Sequence, residues 1–295
     1  MYSTNTSNFF ESNQKGEIYE LRKDLNSVDR GIIKNAVKKI IEMMSLGEDL
    51  SQLFPDVIKS LSTKDLELKK LVYLYTIHYA HKQPEKAILV VNTFQKDAKS
   101  HPNPLMRALA IRTMGCINVE KITEHLCDPL SDALSDSDPY VRKTAVICVA
   151  KLFKINEEMV IEKGFLDRLH LCLSDSNPMV VSNAVAAIEN IAKKRPSILS
   201  KISPSNCRQL VSAINECTEW GQVYILEILA ICFNKISDPV FVLERIAPRL
   251  SHSNPAVVLS AVKLVTILAK GLKNKENVFL EKIRPSLITL LCSKS

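Results

Sequence analysis

Glycine is scarce in this chain, at 7 of 295 residues, and aromatic residues reach only 6%. Tight β-turns and phosphate-cradling loops both depend on glycine, so the composition argues against a turn-rich β fold and a Gly-rich nucleotide site. No Walker, GxSxG, HExxH or GxGxxG pattern occurs. The densest apolar run, Leu71 to Ile77, is seven residues long, far short of the roughly 18 that suggest a membrane span. Residues 1–16 lack the apolar centre of a secretory signal. The closest of the eight cysteines, Cys207 and Cys217, are ten apart, which removes zinc-ribbon and thioredoxin readings. Most lie in apolar runs, such as AVICVA around Cys148. They read as small buried hydrophobes of a protein from a reducing compartment.

Candidate chemistry is equally thin. His78 and His81 stand three apart, but no third ligand of the right kind is near them, so no metal site is expected. Asp136 and Asp138 precede an apolar stripe, where helix capping accounts for them. No catalytic constellation and no cofactor motif emerge, and the chain is expected not to be an enzyme. A net charge of +7 favours an anionic neighbour without requiring nucleic acid. The basic residues Lys69, Arg107 and Arg142, at one recurring position, give way to Val181, Val223 and Val258 further on, with no aromatic ladder beside them. No nucleic-acid partner is therefore expected.

What the chain does contain is a repeat. HPNPLMRALAIRTM (101–114), SDSDPYVRKTAVICVA (135–150), SDSNPMVVSNAVAAI (174–188) and SHSNPAVVLSAVKLV (251–265) each place Asn or Asp before Pro and an apolar stripe. Asn103, Asp138, Asn177 and Asn254 can accept hydrogen bonds from the free N–H groups of a first helical turn. The prolines that follow suit the first helical position, where no donor is needed. Degenerate copies put Arg30, Leu66 and Trp220 in the proline slot, so seven slots recur 35 to 42 residues apart. Trp220 has two readings: packing between the fifth and sixth stacked helices, or a binding hot spot. Second apolar segments follow, among them LFPDVIKSL (53–61), LCDPLSDAL (126–134), FLDRLHLCL (165–173) and IAPRL (246–250). Two short helices per repeat of this length are the HEAT or armadillo pattern. One such pair cannot bury its own apolar face, whereas a stack can. The expectation is an all-α, right-handed α-solenoid of about seven helix-pair repeats, elongated and curved. A flexible tail (1–14) precedes a trunk (15–295), read as the N-terminal part of a longer trunk because no polar capping repeat is visible at the end.

Several segments carry a resemblance. KGEIYELRKDL (15–25), LELKKLVYLY (66–75), DPYVRKTA (138–145), DSNPMVVSNAVAA (175–187) and NECTEWGQ (215–222) resemble the β-adaptins, the large β subunits of clathrin adaptor complexes of the trans-Golgi and plasma membrane. The resemblance implies a non-enzymatic scaffold in cargo selection and vesicle-coat assembly, acting in intracellular transport and endocytosis. Implied partners are a second large, a medium and a small adaptor subunit, an Arf-family GTPase, and clathrin through a hinge and ear beyond the trunk. The implied location is the cytoplasmic face of trans-Golgi, endosomal or plasma-membrane coated membranes. Three sites carry over. Phe9 and Phe10 match an aromatic pair that latches the small subunit's cargo pocket. Ile88 and Val91, three residues apart on one expected helix face, match a GTPase contact. Arg30, Lys34, Lys38 and Lys39 match a basic cluster that touches phosphoinositide headgroups, although Asp29 and Ile32 depart from that pattern. Other helix-repeat scaffolds (a coatomer-type subunit or a nuclear transport receptor) and, remotely, a HEAT-like DNA glycosylase are the alternatives.

Overall fold

In the computed structural model, residues 16–117 and 119–271 are described, together with positions 284, 285 and 288. Among the described residues the regular structure is entirely helical, with no strand. The chain divides into two compact units, Met1–Ala133 and Leu134–Ser295.

In the first unit, α1 spans residues 16–25. It is followed by α2 (Arg30–Ser45), α3 (Phe54–Lys59), α4 (Leu66–Tyr79), α5 (Pro84–Ala87), α6 (Val91–Ser100), α7 (Pro104–Met114) and α8 (Glu120–Ala133). The second unit holds α9 (Pro139–Ile155), α10 (Glu157–Glu162), α11 (Phe165–Cys172), α12 (Pro178–Ala192), α13 (Pro204–Ala213), α14 (Glu219–Ile231), α15 (Pro239–Ile246) and α16 (Pro255–Gly271). In the first unit α2, α4 and α7 pack in sequence; in the second, α9, α12, α14 and α16 do the same. Shorter helices lie against them as a second layer: α3 on α4, α6 on α7, α11 on α12, and α15 on α16. Such stacked helix pairs are the arrangement the repeat spacing demanded.

The slots are helix starts. Six of the seven coincide with the first residue of a helix: Arg30, Leu66, Pro104, Pro139, Pro178 and Pro255. The side chains of Asn103, Asp138, Asn177 and Asn254 each accept a hydrogen bond from the N–H two residues on, at 2.7–2.9 Å. Asp29 and Asp65 do the same in the degenerate copies. Loss of such a cap costs about 1 kcal/mol.

Trp220 is the exception. Thr218 caps α14 and the helix opens at Glu219, so Trp220 stands one position past the slot. The residues in the slot itself are exposed or half-buried in the other six copies, so this turn of each helix lies outside the core. Trp220 is 64% exposed, and its packing role between stacked helices is therefore corrected. Two second helices also differ from expectation. The segment 126–134 is the end of a longer helix, α8, which carries Pro129 in its interior. Proline cannot donate to the carbonyl four residues back; the His125 carbonyl is instead taken up by Gln95 Nε2 at 3.0 Å. IAPRL straddles the end of α15 and a 3₁₀ turn at Ala247–Ser251.

Two side-chain clusters fix local structure. In α4, Tyr73, Tyr75 and Tyr79 are fully buried. Their hydroxyls donate to Asp97, to the Leu50 carbonyl and to the Glu48 carbonyl, and Tyr79 also accepts from the Leu50 N–H. A buried phenol needs such a partner. Lys69 completes this cluster with an ion pair to Asp97 at 2.6 Å. In the second unit, Arg142 forks onto Asp175 at 2.7 and 2.9 Å and donates to the Asp136 carbonyl at 2.8 Å. Both partners of this bidentate pair are mostly buried.

Candidate functional surfaces

The basic stretch of α2 is occupied from within the chain. Lys34 pairs with Asp65 at 3.0 Å and Glu67 at 2.6 Å, Lys38 with Glu67 at 2.8 Å, and Lys39 with Glu17 at 2.6 Å. Hydrogen bonding to Glu67, then to Asp65, raises the Lys34 pKa, and the Glu17 bond raises that of Lys39. Lys34 and then Lys38 hold the Glu67 carboxyl below its usual range. Arg30 is exposed and has no ion-pair partner among the described residues. Of the four cations read from the sequence, three thus face carboxylates of neighbouring helices. The sequence showed the lysines in one stretch; the acids that meet them come from residues 17, 65 and 67, which only the packing of α1, α2 and α4 brings close.

The segment 84–91 is not one helix. A short α5 passes into a 3₁₀ turn at Ile88–Val90, and α6 starts at Val91. The core stripe here is Ala87, Val90, Val91, Phe94 and Ala98, spaced as one helix face. Val91 is therefore 3% exposed and belongs to the core, which corrects its pairing with Ile88 on one accessible face. Ile88 is 38% exposed and Leu89 67% exposed. Leu89 was missed by sequence reasoning, yet the alternation of the core stripe around it was the available signal. Phe9 and Phe10 lie outside the described residues.

His78 and His81 both lie at the surface, with His78 edge-on to the Tyr79 ring. Six of the described cysteines are buried. Burial pushes the thiols of Cys172, Cys207 and Cys217 up to about 11. Thiols held so far above neutrality are poor nucleophiles, as the reading of them as small hydrophobes implied.

NECTEWGQ contributes to a part-buried knot. Arg249, 9% exposed, donates from Nη2 to Asn215 at 2.6 Å and from Nε to Gln222 at 3.2 Å. Gln222 in turn donates to the Cys217 carbonyl at 3.1 Å. Burial, then the nearby Arg245, lowers the Arg249 pKa. Gly221 allows α14 to approach α12: a Cβ there would lie 2.9 Å from Ser182 Cβ and 3.1 Å from Cys217 Cβ. Asn254 ties the start of α16 to Glu219 at 2.7 Å. Every residue of the block except Trp220 and Glu216 has a defined local task in this geometry or its capping.

Stacked, capped helix pairs with structural ion pairs define a helix-repeat protein. Comparison with known proteins refines this. Residues 13–295 match the family model described as the adaptin N terminal region, and the chain belongs to that family. It is 53% identical over 294 residues to AP-1 complex subunit beta-1 of Homo sapiens, covering 98% of this chain and 31% of that protein. With AP-1 complex subunit beta of Dictyostelium discoideum it shares 52% identity over 288 residues, 97% of this chain and 30% of the relative. With AP-2 complex subunit beta of Schizosaccharomyces pombe the figures are 39% over 264 residues, 88% and 39%. The chain thus spans about a third of the length of these curated relatives. Among solved structures, a chain from a homology model of the full-length AP-3 complex superposes with a TM-score of 0.65 at 22% identity, covering 98% of this chain and 52% of that one. An engineered protein superposes with a TM-score of 0.57 at 19% identity, covering 95% and 75%. At these identities the structural matches speak to the all-α repeat fold.

Proposed function

We propose that this chain is the N-terminal part of the trunk of the large β subunit of a clathrin adaptor complex, a non-enzymatic scaffold for cargo selection and coat assembly on trans-Golgi, endosomal or plasma membranes. The observation that carries the reading is the 53% identity to an AP-1 β subunit over nearly the whole chain, together with the adaptin match over residues 13–295. Its partners are then a second large, a medium and a small subunit, with clathrin recruited through the hinge and ear that the family carries beyond the trunk. Co-expression with candidate second large and small subunits tests this. Co-elution as one stoichiometric complex is the expected result; elution of the chain alone refutes it.

A GTPase reading draws support from the adjacent exposed apolar residues Ile88 and Leu89. Unpaired surface hydrophobes side by side favour a protein neighbour. On this reading an Arf-family GTPase in its GTP form contacts Ile88 with Leu89, while Val91 supports the contact from within the core. For the membrane, the internal carboxylates that meet Lys34, Lys38 and Lys39 compete with lipid phosphates, so contact through α2 is weak and salt-sensitive. Flotation with phosphoinositide vesicles at low and physiological salt checks it; salt-insensitive or absent binding ends the lipid reading. The latch reading of Phe9 and Phe10 predicts that Ala at both positions leaves folding intact and frees the small subunit's pocket for an acidic-dileucine peptide in the assembled complex.

A further inference from the structure

The link from α12 to the 3₁₀ turn at Pro196–Lys201 carries chemistry that none of these sites uses. It reads Lys193, Lys194, Arg195, Pro196, Ser197. Cations thus stand at the second, third and fourth positions before a serine, and no other serine or threonine of the chain is preceded in this way. Proline explains the local shape. Pro196 disfavours the helical conformation for the residue before it, so α12 stops and Arg195 leaves the helical region, with φ −130° and ψ 81°. Lys193 and Lys194 lie at the surface. Ser197 is exposed, and its hydroxyl makes no hydrogen bond among the described residues. The Ser200 hydroxyl, by contrast, donates to the Ser197 carbonyl at 2.7 Å.

The two sides of Ser197 are held differently. After it the backbone is clamped. Ile198 is buried, and its carbonyl lies 2.9 Å from His170 Nε2. The Lys235 ammonium donates to the carbonyls of Leu199, Ser200 and Ile202 at 2.8–2.9 Å. Before Ser197 the side chains have only exchangeable ties. Lys194 and Arg195 meet a single carboxylate, that of Glu157 at the start of α10, at 2.9 and 3.2 Å. Lys193 lies 3.8 Å from Glu189. Surface ion pairs of this kind are weak and readily exchanged for another anion. The surface therefore offers a hydroxyl on a fixed backbone, with a row of displaceable cations leading to it.

We propose that Ser197 is a phosphorylation site for an ATP-dependent serine kinase with an acidic peptide groove, and that the phosphate then draws Lys194 and Arg195 away from Glu157. Carboxylates beside the catalytic cleft of such a kinase pair with the cations before the serine, Arg195 in fork geometry. The Ser197 oxygen bonds to the γ-phosphorus of ATP, and the bond from that phosphorus to the departing oxygen of ADP breaks. The hydroxyl proton passes to the catalytic aspartate of the kinase. The new group carries about two negative charges at neutral pH, against one on Glu157. It stands two residues from Arg195 and three from Lys194, whereas Glu157 lies 38 residues from Arg195 in the chain. Loss of both cations unties the first turn of α10 from the end of α12.

The test uses the 295-residue chain, Mg-ATP and, as probe, the catalytic subunit of cyclic-AMP-dependent protein kinase, with the modified residue mapped by mass spectrometry. The expected result is phosphate on Ser197, absent from Ser197→Ala. Lys194→Ala with Arg195→Ala should slow its incorporation about tenfold through lost charge-assisted contacts. Circular dichroism of each variant should match wild type. Amide hydrogen exchange reads the second step. In the phosphorylated chain α10 should exchange about tenfold faster, and the unphosphorylated double variant should match that rate. Absence of phosphate from Ser197 of the folded chain overturns the proposal, whether or not a peptide of residues 190–204 is modified. So does phosphate confined to another residue, incorporation indifferent to the double substitution, or α10 exchange unchanged by phosphorylation.

Discussion

Replacing Gly221 by alanine sets two effects of opposite sign against each other. Alanine is the better helix former by about 1 kcal/mol, so on propensity alone α14 gains stability. Space decides otherwise. The added methyl lies 2.9 Å from Ser182 Cβ, 3.1 Å from Cys217 Cβ and 3.2 Å from Ser182 Oγ. Two of these atoms are Cβ atoms, fixed to the backbone, and no rotamer change removes them. Relief therefore requires α12 and α14 to separate, which loosens the neighbouring Gln222–Arg249 bond. Overpacking of this kind costs about 1–3 kcal/mol. The net expectation for Gly221→Ala is destabilisation by up to about 2 kcal/mol after the propensity gain is subtracted. Urea unfolding followed by circular dichroism measures it. A second substitution sharpens the test: Ser182→Gly removes the clashing Cβ and should rescue Gly221→Ala, whereas Ser182→Ala keeps that Cβ and should not. Gly221→Ala at or above wild-type stability, or equal rescue by both partners, would refute close approach as the reason for glycine here.

Further outcomes follow from the same geometry. Asp175→Ala leaves Arg142 partly buried without its carboxylate and is expected to cost about 3–5 kcal/mol in unfolding experiments. Burial alone would raise the Asp175 pKa, but the hydrogen bonds from Arg142 and the Asn177 N–H outweigh it and hold the carboxyl below its ordinary value. Its folded pKa being depressed, the pair's contribution is present above the unfolded carboxylate pKa and is lost as pH falls through the folded one. Acid unfolding of wild type should thus show a steeper loss in that window than Asp175→Asn. Tyr73→Phe removes the hydroxyl that donates to Asp97 beside Lys69, and should lower stability by about 1–3 kcal/mol without altering helix content. Ile88→Asp should keep the wild-type melting temperature and lose GTP-dependent Arf-family binding. Val91→Asp should melt early, because it buries an unpaired carboxylate in the core; equal melting of the two variants would contradict the assignment of Val91 to the interior.

Much of this architecture could be read from the chain before any coordinates, and particular residues show why. A helix start is a local event: Asn177 caps the N–H of Met179, two residues away, and Pro178 fits the position between them. The chemistry is complete within four residues, so the slots at 30, 66, 104, 139, 178 and 255 could be placed to the residue. At Trp220 the slot was misplaced by one residue, and the expectation of packing failed because the first turn of these helices lies at the surface, a fact of the stack and not of the local sequence. The family resemblance likewise lay in the sequence, in blocks whose unusual residues prove to be the tyrosine cluster of α4 and the Arg249 knot.

Accessibility and charge pairing were of another kind. Val91 and Ile88 look alike in a sequence, and what separates them is the direction each takes once α6 lies against α7 and α8. Lys34 and Lys38 look like free cations until α4 brings Asp65 and Glu67 beside them. Caps and apolar periodicity act over a single turn, which is why the order of residues specifies them. Exposure and ion pairing join groups about 30 residues apart in the chain, so folding alone assigns them.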